Sequence, residues 1–371
     1  MVSGKTATDV FIIGGGPAGL AAAIAARQRG LSVTVADGTE PPIDKACGEG
    51  LMPETLAALG QLGVKIPPNA GAVFRGIRLV QNNDEVTAEF PDREGLGIRR
   101  TTLHECMIER AKECAVRLLW RTPVVGINAV GVELSHSVTP ARWIVGADGS
   151  GSRVRSWAGL DSATRHAQRY ATRRHYRLAP WTEHVEIYWS KLSQAYVTPV
   201  GRKEICVVVM GETVEGADFD CFLTDCPKLQ GRLAGAEVCS RERGAVTLMH
   251  SLSAVHSRNI ALIGDASGGV DAITGEGLRL AFRQAISLAA SLEKADLSSY
   301  GRAHRELTRK PLLMGDLLLT LGRNDRLRMR VIGMLAERPK LFARMLALHS
   351  GHMRIGPLRA SAQLGWEFLT A

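Results

Sequence analysis

Apolar and polar positions near the start of the chain predict a strand, a turn and a helix in close succession. The run from Asp9 to Ile13 is short and almost wholly apolar, which is typical of a buried parallel strand. The alanine-rich stretch from Leu20 to Arg27 is a strong helix former. Between them lies a glycine-rich turn, Gly14 to Gly19. A second apolar run, Leu31 to Ala36, predicts the next strand.

The spacing of the glycines indicates a dinucleotide site between this strand and this helix. Gly14 permits a tight turn, Gly16 lets the backbone approach a pyrophosphate, and Gly19 allows helix and strand to pack closely. The phosphates then lie at the positive end of the helix. Asp37 follows the second strand, where a carboxylate can accept hydrogen bonds from a ribose 2′-hydroxyl and would repel a 2′-phosphate. The pattern favours the adenosine ribose of FAD or NAD over that of NADP.

Further along the chain, strand-like and helical patterns alternate in an order that interrupts the nucleotide fold. Phe74 to Val80 and Glu85 to Phe90 predict two strands joined by a polar turn, after which Thr101 to Ala111 has helical periodicity. The central region predicts a sheet with one open face, with strands at Val185–Trp189, Ala195–Val200 and Glu204–Met210. Asn259 to Ile263 then predicts a buried strand that delivers Asp265, and a helix follows it.

The positive charge is concentrated at the end of the chain. The formal net charge is +9, and residues 301–371 hold 13 Arg or Lys against 5 Asp or Glu, an excess of 8. Apolar stretches between these charges predict helices with a basic face. One interpretation is a helical pair packed on the body with a solvated outer face; the other is a peripheral contact with anionic membrane lipid or an acidic partner. Nucleic acid is not expected as a partner, because aromatic residues are only 5% and no recognition module is present.

Composition and cysteine usage predict a cytoplasmic globular enzyme. The chain has 371 residues, 45% of them hydrophobic and 22% charged, which suits two domains with real cores. The seven cysteines are odd in number, form no CxxC pair and lack zinc-ligand spacing, so a reducing compartment and no metal are expected. No apolar stretch approaches the length of a transmembrane segment, and no signal peptide is predicted. We expect a cytoplasmic protein that could lie peripherally at a membrane.

Three separated motifs resemble the fingerprints of the p-hydroxybenzoate hydroxylase-like superfamily of FAD enzymes, nearest to its geranylgeranyl reductase-related branch. They are the glycine turn, Gly146-Ala147-Asp148-Gly149 and Gly264-Asp265-Ala266. The resemblance implies FAD as the cofactor and NADH or NADPH as a transient reductant. By the same resemblance the FAD-binding residues are Gly14, Gly16, Ala18, Gly19, Asp37, Cys47, Gly48, Arg100, Val124, Asp148, Asp265, Gly275, Gly277 and Leu278.

The resemblance also implies a mixed α/β (α+β) fold, in which a Rossmann-type FAD-binding domain is interleaved with a mostly antiparallel sheet domain that binds substrate. The predicted FAD-binding domain comprises residues 1–73, 97–165 and 251–300. The predicted substrate domain comprises 74–96 and 166–250, and residues 301–371 form a C-terminal helical segment.

Five residues are candidates for chemistry or substrate contact. Cys47 lies in a loop that the resemblance places beside the flavin, where its thiol could donate a proton or simply fill space. Glu276, between two glycines, is either an acid near the ring or a hydrogen-bonding brace. Tyr188, Trp189 and Tyr196 either face a substrate cavity or belong to the core.

Two reactions suit this fold: hydroxylation of an electron-rich ring with oxygen, and hydride transfer to an alkene. Geranylgeranyl reductases carry a YxWxFP motif, of which the stretch Tyr196 to Pro199 keeps the Tyr and the Pro but not the Trp and the Phe. The sequence therefore favours an NAD(P)H-driven monooxygenase acting on an apolar or aromatic small molecule. The alternatives are a reductase that saturates C=C bonds of an isoprenoid or lipid, and a sensory or structural FAD protein without turnover.

Overall fold

A computed structural model describes residues 8–82, 84–191 and 193–349, without the side chains of 163, 165 and 166. The strands of these residues are β1 (Thr8–Ile13), β2 (Val33–Ala36), β3 (Gly50–Leu51), β4 (Gly71–Phe74), β5 (Gly76–Gln81), β6 (Asp84–Glu89), β7 (Gly95–Ile98), β8 (Arg117–Leu119), β9 (Val124–Ile127), β10 (Gly131–Leu134), β11 (Ser137–Gly146), β12 (Ala163–Arg177), β13 (His184–Trp189), β14 (Ser193–Gly201), β15 (Glu204–Gly211), β16 (Glu237–Val238), β17 (Arg243–Leu252), β18 (His256–Ser257) and β19 (Ile260–Leu262). The helices are α1 (Pro17–Arg27), α2 (Pro53–Leu62), α3 (Arg100–Glu113), α4 (Arg153–Trp157), α5 (Phe219–Asp225), α6 (Pro227–Leu233), α7 (Gly277–Glu293), α8 (Leu297–Arg323), α9 (Asp325–Glu337) and α10 (Pro339–His349), with short 3-10 helices at Glu215–Ala217, Gly264–Ser267 and Ala272–Thr274.

The first sheet is parallel at its centre and contains the predicted strand–turn–helix unit. Its parallel strands lie in the order β19-β11-β1-β2-β8, with β18 at one edge and the β9–β10 hairpin attached to β11. Helices α1, α3 and α7 share one apolar core on one side of this sheet. Because the carboxyl ends of parallel strands meet at one edge, the segments that follow β1, β2, β11 and β19 converge there.

The second sheet is mostly antiparallel and has two unlike faces. Its order is β16-β12-β15-β14-β13-β5-β6, with β17 also paired to β12 and a parallel pairing between β13 and β5. Helices α5 and α6 cover one face and bury Phe219 and Phe222 against it. Side chains such as Val208 and Met210 project from the opposite face into a cavity. The sheet with one open face is therefore present, although the exact domain boundaries stay a prediction.

In the described residues the C-terminal segment forms three helices. One interpretation of the sequence was a pair of helices. Helices α9 and α10 pack on the β5–β6 edge of the second sheet, and Leu335, Phe342 and Leu346 join its apolar cluster. Arg328 is buried and donates to the backbone carbonyls of Ser190 at 2.7 Å and Gly322 at 2.8 Å. These bonds fix the start of α9 against the turn that follows β13.

The remainder of the predicted C-terminal segment, residues 350–371, lies outside the described residues. Among the helices that the structure describes, none is long and apolar enough to cross a bilayer.

We expect the protein to lose stability in acid because of a buried histidine in α8. His304 is 7% exposed, its Nε2 lies 3.0 Å from the Ser267 hydroxyl, and burial, followed by the positive charge of Arg305, lowers its pKa from 6.5 to about 4. In the unfolded chain the imidazole is protonated at a higher pH than in the folded protein. The contribution of the neutral His304 to the free energy of unfolding is therefore fully present above pH 6.5 and is lost as the pH falls towards 4. The contribution is roughly 3 kcal/mol. Urea unfolding at pH 4.5 and 7 should show a smaller pH dependence in His304→Gln than in the wild type, and an equal dependence would contradict the assignment.

Candidate cofactor and substrate site

A single cavity of about 790 Å³ lies between the carboxyl edge of the first sheet and the open face of the second sheet. One end is lined by backbone and polar groups from the three sequence motifs, and the other end is lined by apolar side chains. The predicted cofactor residues meet here because parallel strands deliver them to one edge. All of them line the cavity except Gly19, which packs beneath the turn.

The glycine turn has the close contacts that its sequence predicts. Gly14 adopts φ +112°, and a Cβ there would lie 2.4 Å from the Ala147 carbonyl oxygen. A Cβ on Gly19 would lie 1.9 Å from the Gly14 carbonyl oxygen, so α1 can approach β1 only with glycine at this position. A Cβ on Gly16 would meet nothing within 4 Å, and no side chain caps α1 there. This open, uncapped helix start suits a pyrophosphate.

Asp37 stands at the end of β2, lines the cavity and braces the turn. Its carboxylate accepts the Gly15 amide hydrogen at 2.7 Å, and the Thr39 amide and hydroxyl at 2.8 and 2.6 Å. A carboxylate has about four acceptor positions, so these three bonds leave capacity for one ribose hydroxyl. Its contact with a ribose stays a prediction.

Arg100 opens α3 and lines the cavity with an unsatisfied donor. Within the described residues its Nε is buried and has no hydrogen-bond partner. A buried donor of this kind is costly unless a ligand oxygen completes it. This observation fits the phosphate or ribose of a dinucleotide at the place that the sequence predicts.

The two later acidic motifs have different roles in the structure. Asp148 accepts the Ser152 hydroxyl at 2.6 Å and the Arg153 and Val154 amides at 2.8 and 3.2 Å, so its carboxylate anchors the start of α4. Asp265 is half-exposed at the cavity wall and lies 3.3 Å from the ammonium of Lys45. Asp265 is therefore the more accessible of the two carboxylates to a cofactor hydroxyl.

The loop before α7 presents backbone to the cavity. Gly275 adopts φ +66°, α7 begins at Gly277 without a side-chain cap, and Gly275, Gly277 and Leu278 line the cavity. An uncapped helix start can stabilise negative charge on a bound group. Glu276 does not line the cavity: it is buried, pairs with Arg279 and lies 3.7 Å from Nε2 of His349. The structure thus gives Glu276 the position of a brace and not of an acid facing a ring.

A buried polar network joins this loop to the second sheet. With the Gln194 carboxamide oriented to satisfy its neighbours, its oxygen accepts from both terminal nitrogens of Arg169 at 2.7 and 2.8 Å and from the Tyr196 hydroxyl at 3.0 Å. Arg169 also donates to Asp271 at 3.1 Å, and Asp271 caps the 3-10 turn before Gly275. The network thus engages the hydroxyl of Tyr196, a residue that also lines the cavity.

The three aromatic candidates divide according to strand alternation. Trp189 lines the cavity, and its indole Nε1 is buried without a hydrogen-bond partner in the described residues. Tyr196 also lines the cavity. The prediction that Tyr188 faces the substrate is wrong, because successive strand residues point to opposite faces. Tyr188 is fully buried under α5 and α6 and donates to Glu186 at 2.6 Å.

The loop that carries Cys47 and Gly48 is anchored by a buried charge cluster that sequence analysis missed. Cys47 and Gly48 line the cavity, and the next residue, Glu49, is buried. Glu49 accepts the Arg100 amide at 2.9 Å and lies 2.7 Å from Nε2 of His175 and 3.3 Å from Arg173. Because the guanidinium of Arg173 already neutralises Glu49, we interpret the cluster as a set of ion pairs and not as a metal-ion site. Cys47 stays a predicted participant in the chemistry.

Comparison with known proteins agrees with this geometry. Residues 7–307 match the family model described as an FAD binding domain. The chain belongs to this family of FAD-binding proteins. The predicted resemblance to the p-hydroxybenzoate hydroxylase-like superfamily, nearest to its geranylgeranyl reductase-related branch, and the mixed α/β fold are confirmed. The protein is an FAD-dependent oxidoreductase.

Its relatives include reductases of two kinds. The menaquinone reductase of Mycobacterium tuberculosis (strain ATCC 25618 / H37Rv) is 26% identical, over 82% of this chain and 84% of the relative. Digeranylgeranylglycerophospholipid reductase 1 of Methanopyrus kandleri is 28% identical, over 74% and 77%. The solved structure of a flavoprotein/dehydrogenase from Cytophaga hutchinsonii superposes with a TM-score of 0.80 at 18% identity, over 93% of each chain. This last likeness concerns the fold.

The apolar end of the oxidoreductase's cavity contains residues that sequence analysis did not assign to the site. The C-terminal helices contribute much of this wall, together with the open face of the second sheet. The helices supply Met314, Leu318, Leu321, Val331 and Phe342. Their helical periodicity alone indicates only an apolar face, because no local pattern states what that face covers.

Proposed function

We propose that this FAD-dependent oxidoreductase is a reductase that saturates C=C bonds in the polyprenyl chain of a lipid. The observation that carries the proposal is the apolar end of the cavity, which extends from the cofactor residues to the C-terminal helices. It is lined mainly by aliphatic side chains, including Ile77, Leu79, Val185, Ile187, Val208 and Met210. A mainly aliphatic lining suits a flexible hydrocarbon chain better than a single planar ring.

The names of two relatives support the same substrate class. Menaquinone and digeranylgeranylglycerophospholipid, named as the substrates of those reductases, both carry polyprenyl chains. The altered Tyr196 to Pro199 stretch is compatible with this proposal, because Met314, Leu318 and Phe342 provide apolar surface from the C-terminal helices. The chain therefore has a hydrocarbon site without the complete aromatic motif.

When bound and reduced, FAD supplies the hydride that, together with one proton, saturates a C=C bond. The protein's own groups bind and orient the two partners. Gly16 and Arg100 would hold the phosphate end of FAD, and the start of α7 would supply backbone donors to it. The rings of Tyr196 and Trp189 would form part of the wall around the polyprenyl chain. We further propose NADH or NADPH as the external electron source, reaching the same cleft. The apolar wall keeps water from the reacting bond.

A monooxygenase is the second candidate, and one observation favours it. The unsatisfied indole N–H of Trp189 is a hydrogen-bond donor buried beside the cavity, which suits the oxygen of a hydroxylated or quinonoid ring. Together with Tyr196 and Phe342, it could hold a ring instead of a chain.

Mass spectrometry of the product distinguishes the two reactions. The FAD-loaded protein, reduced with dithionite under anaerobic conditions, is incubated with a digeranylgeranyl lipid. A reductase adds two hydrogen atoms for each double bond without oxygen. A monooxygenase requires oxygen and an acceptor ring, and adds one oxygen atom. The reductase proposal would be overturned if the lipid gains no hydrogen and the protein instead hydroxylates a ring compound in the presence of oxygen.

The length of the accepted chain should depend on Ile187, which lines the cavity from β13. Replacing it with tryptophan fills part of the apolar end, so we expect kcat/KM for a geranylgeranyl lipid to fall roughly tenfold or more, with a smaller loss for a shorter prenyl chain. FAD affinity should not change. Val130→Trp, at a valine that is 63% exposed in the turn before β10, is the control. An equal loss for all chain lengths would argue against a chain site at Ile187.

A further inference from the structure

Helix α8 carries an apolar arc that runs from the outer surface into the cavity. Leu313 and Leu317 are 65% and 49% exposed. Leu321, Met314 and Leu318 line the cavity. At about 100° per residue, these five side chains occupy neighbouring positions around one side of the helix, in the order 313, 317, 321, 314, 318. The exposed apolar surface is therefore continuous with the lining of the substrate site.

Basic side chains flank this arc on α8 and α9. Arg309 and Lys310 are exposed one turn before Leu313, and Arg326 and Arg330 are exposed on α9. Two further apolar side chains on α9, Leu327 and Met329, are 40% and 38% exposed. We refer to Arg309, Lys310, Leu313, Leu317, Arg326, Leu327, Met329 and Arg330 together as the α8–α9 surface.

The acidic residues near this surface do not cancel its charge. Glu306 and Asp316 are exposed on α8, and Asp325 at the start of α9 pairs with the buried Arg328. Four basic side chains thus stand beside two exposed carboxylates and one paired carboxylate. Exposed leucines among basic side chains are typical of helices that lie in the interface of an anionic bilayer. Two such basic surfaces from two copies of the chain would repel each other.

We propose that the α8–α9 surface docks on an anionic lipid bilayer and admits the lipid chain to the cavity along α8. The inference rests on the proposed function for the identity of the chain, but the docking itself does not. The leucines insert among the acyl chains, the basic side chains contact the headgroup phosphates, and the arc from Leu317 to Met314 provides an apolar path into the site. A chain that follows this path is not exposed to water on its way in.

Flotation with lipid vesicles tests docking without any substrate. The FAD-loaded full chain is mixed with vesicles of phosphatidylcholine alone, or of phosphatidylcholine with phosphatidylglycerol. We expect flotation with the anionic vesicles, weakened by salt. Leu313→Gln/Leu317→Gln should reduce binding roughly tenfold or more, and Arg309→Gln/Lys310→Gln should remove the preference for the anionic lipid. Val130→Gln is the matched control, because Val130 is 63% exposed outside the α8–α9 surface.

A second measurement separates docking from catalysis. The Leu313→Gln/Leu317→Gln variant should reduce a short prenyl substrate in detergent at the wild-type rate, while losing activity on a lipid embedded in anionic vesicles. Equal flotation of this variant and the wild type, or no flotation of the wild type with either vesicle, would overturn the docking proposal. If the wild type does not reduce the short prenyl substrate in detergent, the proposed function is contradicted, whereas the flotation result remains valid.

Discussion

Replacing Arg173 with leucine should lower the free energy of unfolding by about 3–5 kcal/mol, because it removes the buried cation that the buried Glu49 shares with Asp44. The Arg173 side chain is fully buried. It donates to both carboxylate oxygens of Asp44 at 2.8 and 3.0 Å, and to Glu49 at 3.3 Å. Although burial alone would raise the pKa of Asp44, the hydrogen bonds and charges of Arg173 and then Arg243 hold that pKa below its ordinary value.

The same strand supplies a matched control. Arg177 also lies on β12 and also forms an ion pair, at 3.2 Å from Glu237, but the two side chains are 65% and 62% exposed. Arg177→Leu should therefore change stability by less than about 1 kcal/mol. Urea unfolding of both variants, followed by circular dichroism, measures the difference. Similar losses in the two variants would show that burial of the Arg173 cluster does not determine its contribution.

The Arg173 variant should also affect the cofactor site. Glu49 joins this cluster to the Arg100 amide and follows the two cavity-lining residues Cys47 and Gly48. A displaced Glu49 would move both the loop and the start of α3. We therefore expect weaker FAD binding in the fraction of Arg173→Leu that remains folded, and unchanged FAD binding in Arg177→Leu.

Gly16→Val should weaken FAD binding roughly 100-fold or more while the protein remains folded. Gly16 has an extended backbone at φ −69°, which any residue adopts, and a Cβ there would meet no protein atom within 4 Å. The added side chain would instead occupy the open space at the start of α1, where the pyrophosphate must approach the backbone. The loss should thus appear in binding and not in the stability of the FAD-free protein.

Titration of the FAD-free variant with FAD, monitored by quenching of flavin fluorescence, checks this result. Gly231→Val is the control, because a Cβ on Gly231 in α6 also meets nothing within 4 Å. Both variants should unfold in urea close to the wild-type midpoint. If Gly16→Val retains wild-type affinity, the phosphates do not bind at the start of α1.

Local patterns were sufficient for the first part of the cofactor site. A strand, a glycine turn and a helix within 27 residues encode much of their own geometry, since Gly14 adopts φ +112° and Gly19 is required by its contact with the Gly14 carbonyl oxygen. The resemblance to a known family placed the later segments at Asp148 and Asp265, and in the structure the parallel strands bring them to the same edge. The resemblance to a known family added Arg100 and the loop before α7, which no local pattern would have indicated.

Other features depended on contacts between distant parts of the chain. Glu49 and Arg173 are 124 residues apart in sequence, and neither position has a local pattern that indicates burial. Tyr188 and Trp189 are adjacent aromatics, and only the observed register shows which of them faces the cavity. An error of one position in a strand exchanges its two faces.

The sequence by itself determined the strand–turn–helix unit, because its geometry is mostly local, and the resemblance of its motifs to a known family gave the α/β fold and the oxidoreductase class. Only the tertiary structure decided the character of the apolar end of the cavity. The C-terminal helices pack against the second sheet and complete the cavity with Met314, Leu318 and Phe342. An apolar helical face predicts that this face will be buried, but long-range packing decides whether a neighbouring element or a substrate covers it.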